Sequence, residues 1–187
     1  MIEEVEFKSN IVFLEDDRIF LRALEKEDIY NSNYLKWLND MVVNQFNTHH
    51  RFPVLRNNLL NYIEEKNNSK SNLFLGVFEK STSCHIGNII LQNINWIDRN
   101  AEIAFILGEK EYWGTGIMYN AGSLLLKHAF KALNLHRIYL GTSSSNLGMQ
   151  RLALKLGFSL EGRRIDGIYN NGEYHDILDY GLINNFE

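Results

Sequence analysis

A turn that contains two glycines constrains the fold of this chain more than any other feature. Residues 111–118, EYWGTGIM, lie between a short apolar run at 103–107 and an apolar-periodic segment that extends to about Leu133. The pattern predicts a strand, a turn and a helix. The first N–H groups of such a helix have no partner within it and lie at the positive end of its dipole. The turn is therefore predicted to bind an anion, and pyrophosphate in particular.

The turn does not match two common nucleotide-binding motifs. A P-loop requires Lys followed by Ser or Thr after its last glycine, whereas Ile117 follows Gly116 here. The dinucleotide fingerprint has a third glycine where this chain has Tyr119. Two glycines can also serve only to end one element and begin the next, so the turn alone leaves a purely structural role open.

Length and composition predict one globular domain. The chain has 187 residues, of which 45% are hydrophobic and 22% charged, as is ordinary for a soluble domain. No stretch approaches the roughly 18 unbroken apolar residues of a membrane span. The first residues are acidic rather than basic, so we expect no targeting peptide and a cytoplasmic location. The net charge of −4 argues against a nucleic-acid partner.

Cys84 is the only cysteine, which excludes an internal disulfide bond. It precedes His85, and a nucleophilic role beside this histidine is one reading. Adjacent residues of a strand point to opposite faces, and an isolated strand cysteine is usually a small buried residue. We therefore expect Cys84 to be buried and inert.

Hydrophobic periodicity predicts alternating helices and strands. Helical patterns occur at about 28–38, from Pro53 onward, at 117–133 and at 147–156, where Gly157 ends the last one. Strand patterns occur at 19–24, 73–79, 85–96, 101–107 and 136–140, around Phe158 and at 174–183. We predict a single α/β (α+β) domain, 1–187, with a central mixed, mostly antiparallel sheet flanked by helices. The inner face of the 117–133 helix is predicted to be Ile117, Ala121, Leu124, His128 and Ala132.

A second polar segment, TSSSN at 142–146, precedes the predicted helix at 147–156. Its simplest role is to cap that short helix. A loop rich in hydroxyl and amide groups beside the phosphate-binding helix can also face the same ligand, because sites in α/β sheets commonly lie at strand ends.

The order of these motifs resembles the GNAT superfamily of acyl-CoA N-acyltransferases. Within it, the resemblance is to the branch that acetylates ribosomal-protein N-termini, polyamines and amino-sugar nucleotides, and it covers about residues 19–182. A GNAT-like fold is therefore expected. The segments that carry the resemblance are YWGTGI at 112–117, HRIYL at 136–140, Asn146, KLGF at 155–158, Glu161-Gly162 and NGEYHD at 171–176.

The resemblance implies acetyl-coenzyme A as co-substrate. It places the pyrophosphate on the backbone amides of the turn and the pantetheine arm along the preceding strand, where the arm pairs as an added strand does. Asn146 matches the amide that contacts this arm or orients the thioester. The implied cofactor-binding residues are Phe105, Ile106, Leu107, Trp113, Gly114, Thr115, Gly116, Ile117, Met118, Asn146, Arg151 and Lys155.

Four positions depart from the pattern of the resembled family. Glu111 stands where a basic or amide residue is usual and must point away from phosphate, Thr115 replaces a common lysine, and Met149 replaces a common serine. Ala153 stands where many relatives place a tyrosine that protonates the departing thiolate. A thiol with a pKa of about 8.5 leaves tolerably as the thiolate, so this loss need not abolish activity.

Acetylation of an amine requires a base. A primary alkyl amine with a pKa near ~10 is mostly protonated at neutral pH, and only its neutral form attacks a thioester. Our candidate is Glu102, at the start of the cofactor strand and on the same face as Ala104 and Ile106. Asp98 and His85 are alternative bases. Glu102 can also be an exposed glutamate at the end of a strand, without a catalytic role.

The loop at 42–52 would lie over the thioester in this fold, so we predict that His49, His50 and Arg51 contact the acceptor. Adjacent histidines without a spaced third ligand do not make a zinc site, and no metal is predicted.

The sequence thus predicts an N-acetyltransferase that moves an acetyl group directly to a primary amine in a ternary complex. The acceptor is a small amine such as an amino-sugar nucleotide, or a protein N-terminus in the closest alternative. A non-catalytic acyl-CoA-binding or regulatory protein is the alternative of another class. Expected partners are a small-molecule amine or a peptide N-terminus, with no nucleic acid and no membrane, and a homodimer is left open.

Overall fold

An eight-stranded sheet forms the centre of the computed structural model, which describes residues 11–184. Its strands are β1 (Leu14–Glu15), β2 (Ile19–Arg22), β3 (Leu73–Glu79), β4 (His85–Asn95), β5 (Asn100–Leu107), β6 (Arg137–Ser143), β7 (Ser159–Asn170) and β8 (Glu173–Ile183). They lie in the order β1-β2-β3-β4-β5-β6-β8-β7, and each neighbouring pair is antiparallel except β5 with β6. The predicted mixed, mostly antiparallel sheet flanked by helices is confirmed.

The helices of the described chain are α1 (Lys26–Asn31), α2 (Tyr34–Asn39), α3 (Arg56–Asn68), α4 (Ile117–Lys131) and α5 (Leu147–Lys155), with 3-10 turns at His49–Arg51 and Lys110–Tyr112. The single helix predicted at 28–38 is wrong, because extended Ser32 ends α1 and α2 begins at Tyr34. Pro53 does not begin α3, whose N-cap is Leu55. Within residues 11–184, no helix is both long and apolar enough to cross a membrane.

Helix α4 packs its apolar face on the centre of the sheet. The residues that it buries are Ile117, Met118, Ala121, Gly122, Leu125, Leu126, Ala129 and Phe130. The predicted inner face is right at Ile117 and Ala121 but wrong further along, because Leu124 and His128 are only partly buried and Ala132 is exposed. A second cluster, which includes Trp37 of α2, covers the other side of the sheet.

Gly108, which follows β5, fixes the position of α2. A side chain at Gly108 would lie within 1.8 Å of the Trp37 indole, so only glycine permits this contact. The contact holds α2 over the end of β5. The loop that follows α2 therefore begins beside the edge of the sheet where β5 ends.

Cys84 and His85 lie at the start of β4 in opposite environments. Cys84 is exposed, so the expectation that it is a buried strand residue is wrong, because the strand begins one residue later. His85 is buried among aromatic rings, and its Nε2–H donates to Asn88 Oδ1 over 2.8 Å. Burial lowers the pKa of His85 to about 4, against the opposing effect of the Asn88 hydrogen bond.

The low pKa of His85 predicts a loss of stability in acid. The unfolded chain has the ordinary histidine pKa of 6.5 and binds a proton that the folded chain refuses until the pH approaches about 4. The stabilisation of the folded chain by neutral His85 is therefore fully present above pH 6.5, and it is lost as the pH falls from 6.5 toward about 4. At about pH 5 the loss amounts to roughly 2 kcal/mol relative to neutral pH.

Urea unfolding at neutral and acidic pH measures this effect. In His85→Gln the free energy of unfolding should fall by roughly 2 kcal/mol less between the two conditions than in the original chain. Replacing the exposed His136 by glutamine should leave the difference unchanged. Equal pH dependence in the original chain and in His85→Gln would contradict the assignment.

Candidate active site

A cavity of about 780 Å³ opens where β5 and β6 separate. Pairing between these two strands ends at Glu102 opposite Tyr139, whereas β5 remains paired with β4 as far as Leu107. The second half of β5 therefore has a free edge. This edge, the beginnings of α4 and α5, the end of β6 and the loop before the first 3-10 turn together line the cavity.

Backbone groups of the free edge alternate in direction along β5. The N–H of Arg137 on β6 donates to the carbonyl of Arg99 over 3.1 Å, so the Arg99 carbonyl points toward β6. Every second residue of a strand points its backbone groups the same way. The backbone N–H and C=O groups therefore point toward the cavity at Ile103, Phe105 and Leu107. An extended ligand arm that carries amide groups can pair with them as an added strand does.

Two glycines in left-handed conformation shape the turn before α4. Gly114 has a φ of 75° and Gly116, the N-cap of α4, a φ of 80°. The N–H groups of Gly114, Gly116, Ile117 and Met118 have no acceptor within the described part of the chain. All four residues line the cavity at the positive end of a 15-residue helix. This arrangement of free N–H groups has the geometry and polarity that suit an anion.

The other residues of the turn hold it in place. The Trp113 indole N–H donates to the carbonyl of Leu107 over 2.9 Å, and the Thr115 hydroxyl donates to the carbonyl of Tyr112 over 2.7 Å. Arg18 donates to the carbonyl of Thr115 over 3.2 Å. The N–H groups of Trp113 and Thr115 are also bonded within the turn. Trp113 lines the cavity with its side chain, whereas Thr115 does not line it.

Helix α5 supplies polar groups on the opposite side of the cavity. Asn146 is its N-cap, and Asn146 Oδ1 accepts from the N–H of Met149 over 3.0 Å, which confirms the predicted cap. The side-chain amide nitrogen of Asn146 has no acceptor among the described residues and remains available to a ligand. Arg151 and Lys155 also line the cavity, and the Lys155 ammonium lies 4.5 Å from the centre of the Tyr119 ring.

Glu102 lies at the inner end of the free edge. Its Oε2 accepts hydrogen bonds from Gln92 over 3.1 Å and from Asn93 over 3.4 Å. Its Oε1 has no donor within residues 11–184. Burial raises the pKa of the facing Tyr139, and the charge of Glu102 raises it further. The carboxylate is thus fixed through one oxygen and can accept a proton through the other.

The alternative bases lie elsewhere. His85 is buried beneath α2, and Asp98 accepts from Asn95 over 2.7 Å in the turn between β4 and β5. Neither residue lines the cavity. Among the described residues that line it, Glu102 is the one that is acidic. No three His, Cys, Asp or Glu side chains of residues 11–184 are grouped so as to hold a metal ion.

The three predicted acceptor-binding residues separate in the structure. His49 lines the main cavity and is exposed at the surface, but the protein atoms packed around its ring and the neighbouring His50 lower the pKa of His49, which keeps it neutral near pH 7. His50 lines neither cavity, and its buried Nδ1 has no hydrogen-bond partner among the residues that the structure describes. Arg51 lines a second cavity of about 380 Å³, where its guanidinium donates to the carbonyl of Tyr169.

Sequence reasoning missed the wall of the site that β7 and β8 form. Ile168 and Ile177 line both cavities, and Arg164 lines the smaller one. The contact between Arg51 and Tyr169 spans 118 residues of chain, so no local pattern reports it. The GEYHD motif indicated a strand in this region but not its position beside Glu102.

Comparisons with known proteins identify the family of the chain. The model of the acetyltransferase (GNAT) domain matches residues 18–159, which is more than half of the chain. A candidate ribosomal N-acetyltransferase of Bacillus subtilis, YdaF, is 35% identical over 97 residues, 52% of this chain and 52% of that protein. The spermidine N(1)-acetyltransferase of Escherichia coli K12 is 34% identical over 92 residues, 49% of each chain. The matched part thus spans about half the length of these two curated relatives.

Solved structures extend the similarity to almost the whole chain. The spermidine N-acetyltransferase of Vibrio cholerae, in complex with CoA and spermine, superposes with a TM-score of 0.80 at 25% identity. The superposition covers 90% of this chain and 96% of that one. The predicted resemblance is confirmed, and the chain belongs to the GNAT acetyltransferase family.

Proposed function

We propose that this protein is an acetyl-CoA-dependent N-acetyltransferase that transfers the acetyl group directly to a primary amine. One observation carries the proposal: the four free N–H groups at the start of α4 and the unpaired edge of β5 line one continuous cavity. The first feature suits a pyrophosphate and the second suits the amide groups of a pantetheine arm. Arg151 and Lys155 are the proposed partners of the 3′-phosphate.

Glu102 is the proposed general base. In the transfer step the neutral amine nitrogen attacks the thioester carbon, and the negative charge that develops on oxygen is met by a backbone N–H near Leu107. Glu102, directly or through a water molecule, takes the proton that the amine loses. The C–S bond then breaks and coenzyme A leaves as the thiolate, while the side-chain amide of Asn146 orients the thioester.

No tyrosine assists the leaving group from the usual position of the family. Ala153 occupies that position and is completely buried. A thiol with a pKa of about 8.5 leaves as the thiolate near neutral pH without a proton donor, so transfer remains feasible.

The acceptor is proposed to be a small amine, such as an amino-sugar nucleotide. A protein N-terminus is the alternative, and the name of the Bacillus relative favours it. The names of the spermidine acetyltransferases add a polyamine to the range of acceptors to be tested. A cytoplasmic location and a homodimer remain predictions.

Thermal unfolding tests cofactor binding independently of the acceptor. Acetyl-CoA at about 1,000 times its Kd adds roughly 4 kcal/mol of stability, which raises the Tm of a chain of this size by about 10 °C. ADP shares the pyrophosphate but lacks the pantetheine arm, and should give a smaller shift. An unchanged Tm with acetyl-CoA would reject the proposed function at its first step.

Transfer is measured next with labelled acetyl-CoA and a panel of amines, peptides and polyamines. Acetylated product from at least one amine supports the enzyme. A second candidate function, a non-catalytic acyl-CoA-binding protein, is favoured by Ala153 and Met149, where relatives often carry reactive side chains. A positive thermal shift without product from any amine would establish that second function instead.

A further inference from the structure

The smaller cavity adjoins the reaction centre. It shares Thr48, Glu102, Gly141, Ile168 and Ile177 with the larger cavity, so the proposed base lies where the two meet. A molecule in the smaller cavity would thus present one end to Glu102 and the thioester. This position suits the cavity to hold the acceptor amine.

The charges that line this cavity are mostly positive. Glu102 is its one acidic residue, and Arg51 and Arg164 are its basic ones. Arg164 donates two hydrogen bonds to Asp179, over 2.9 Å and 2.8 Å, which balances its charge. No carboxylate of the described residues lies within ion-pair distance of Arg51. The cavity therefore offers one carboxylate and one unpaired guanidinium.

Hydrogen bonds hold Arg51 and its loop against the β7–β8 hairpin. The guanidinium of Arg51 is fixed by the carbonyl of Tyr169, at the end of the strand opposite. Close by, the side chain of Asn170 donates to the carbonyl of Gln45, at 2.5 Å. These bonds join the loop before α3 to the β7–β8 hairpin, and so fix the position of the guanidinium at the edge of the cavity.

We propose that the acceptor is a small zwitterionic amine, with one amino group and one carboxylate or phosphate group. This inference rests on the proposed function and specifies its substrate class. The amino group lies at Glu102 and the anionic group binds Arg51, with Arg164 beside it. A polyamine does not fit this pattern, because its second and third positive charges would face Arg51 without a carboxylate to receive them.

Matched acceptors test the proposal. Ethanolamine is compared with O-phosphoethanolamine, propylamine with β-alanine, and glucosamine with glucosamine 6-phosphate; spermidine and an acidic peptide complete the set. The member of each pair without an anionic group cannot form the hydrogen-bonded charge pair with Arg51. The value of kcat/KM should therefore be about 10-fold to 100-fold higher for the anionic member of at least one pair. The phosphate and carboxylate pairs show which anion is preferred.

Variants assign the preference to Arg51. In Arg51→Gln the ratio of kcat/KM between the anionic acceptor and its partner without the anion should fall to about 1, through a higher KM for the anionic acceptor. Arg51→Lys should restore part of the advantage, because it restores the charge without the planar guanidinium. Arg56→Gln is the matched control, since Arg56 lies over the Tyr30 ring and outside both cavities.

The outcomes separate this inference from the proposed function. The inference is overturned if amines with and without an anionic group react at equal rates. It is also overturned if spermidine or the peptide is the best acceptor. Either result still supports the proposed acetyltransferase activity. If no amine is acetylated, calorimetry with O-phosphoethanolamine, β-alanine and glucosamine 6-phosphate in the presence of CoA decides. Binding that is lost in Arg51→Gln supports the zwitterion site, and no binding, or binding that is equal in both chains, overturns it.

Discussion

Replacement of Glu102 by glutamine is expected to lower kcat by about 100-fold to 10,000-fold, the usual contribution of a general base. Glutamine preserves the size of the side chain and can still accept from Gln92 and Asn93, so the fold should be unaffected. The Kd of acetyl-CoA should be unchanged, because the turn before α4 lies at the other end of the β5 edge. Steady-state kinetics and calorimetry measure the two quantities separately.

The pH profile distinguishes loss of a base from loss of shape. At a pH near the amine pKa of about 10, about half of the acceptor is already neutral, and hydroxide can take the proton that is lost in the transfer step. The defect of Glu102→Gln should therefore shrink as the pH rises. A defect that is constant with pH would show that Glu102 only positions the substrate.

Two further variants serve as comparisons for Glu102→Gln. Asp98→Asn removes a carboxylate that is bound to Asn95 outside the cavity, and kcat should stay at the original level. His49→Gln removes the neutral imidazole of the main cavity. Full activity of Glu102→Gln together with an inactive His49→Gln would transfer the role of base to His49.

Replacement of Gly116 by aspartate is expected to weaken acetyl-CoA binding about 100-fold relative to replacement by asparagine. A carboxylate about 4–5 Å from a phosphate costs roughly 3 kcal/mol at an effective dielectric constant near 20. A Cβ added at Gly116 meets no protein atom within 4 Å, so the side chain extends into open space beside the free N–H groups. The charge, rather than a clash within the protein, should produce the difference.

The comparison of aspartate with asparagine cancels the strain at this position. Gly116 has a φ of 80°, and Asn and Asp are the other residues that adopt such values most readily. Both variants should lose about 1 kcal/mol of stability from the backbone alone. Calorimetry with CoA gives the Kd, and thermal unfolding without ligand measures the difference in stability, which the dipole of α4 should keep to about 0.3–1 kcal/mol in favour of aspartate. Equal Kd values in both variants would place the phosphates elsewhere.

Local patterns were sufficient for much of the fold. Strand β3 occupies the predicted residues 73–79, and α4 begins at Ile117, directly after the two glycines. The alternation of apolar and polar residues and the glycine turns are patterns of a few neighbouring residues. They can therefore be recognised without knowledge of distant contacts. The break between α1 and α2 at Ser32 was not predicted, because apolar residues continue on both sides of it.

The face of α4 shows how packing overrides a local pattern. Leu124 and Leu125 are equally apolar, and both fit a helical repeat from Ile117. Burial of Leu125 rather than Leu124 depends on the angle at which α4 crosses the sheet. That angle is set by contacts with distant strands, which periodicity does not contain.

The amino-acid sequence was enough to predict the glycine turn before α4, the strand that leads into it, the cap at Asn146 and the resembled family. Each depends on residues that are close together in the chain. Glu102, Arg51 and Arg164 surround one space only in the folded chain. They come from three separate segments, and their distances follow from the separation of β5 from β6 and the packing of the β7–β8 hairpin. The turn therefore indicates the cofactor, whereas long-range packing forms the space that is proposed to select the acceptor.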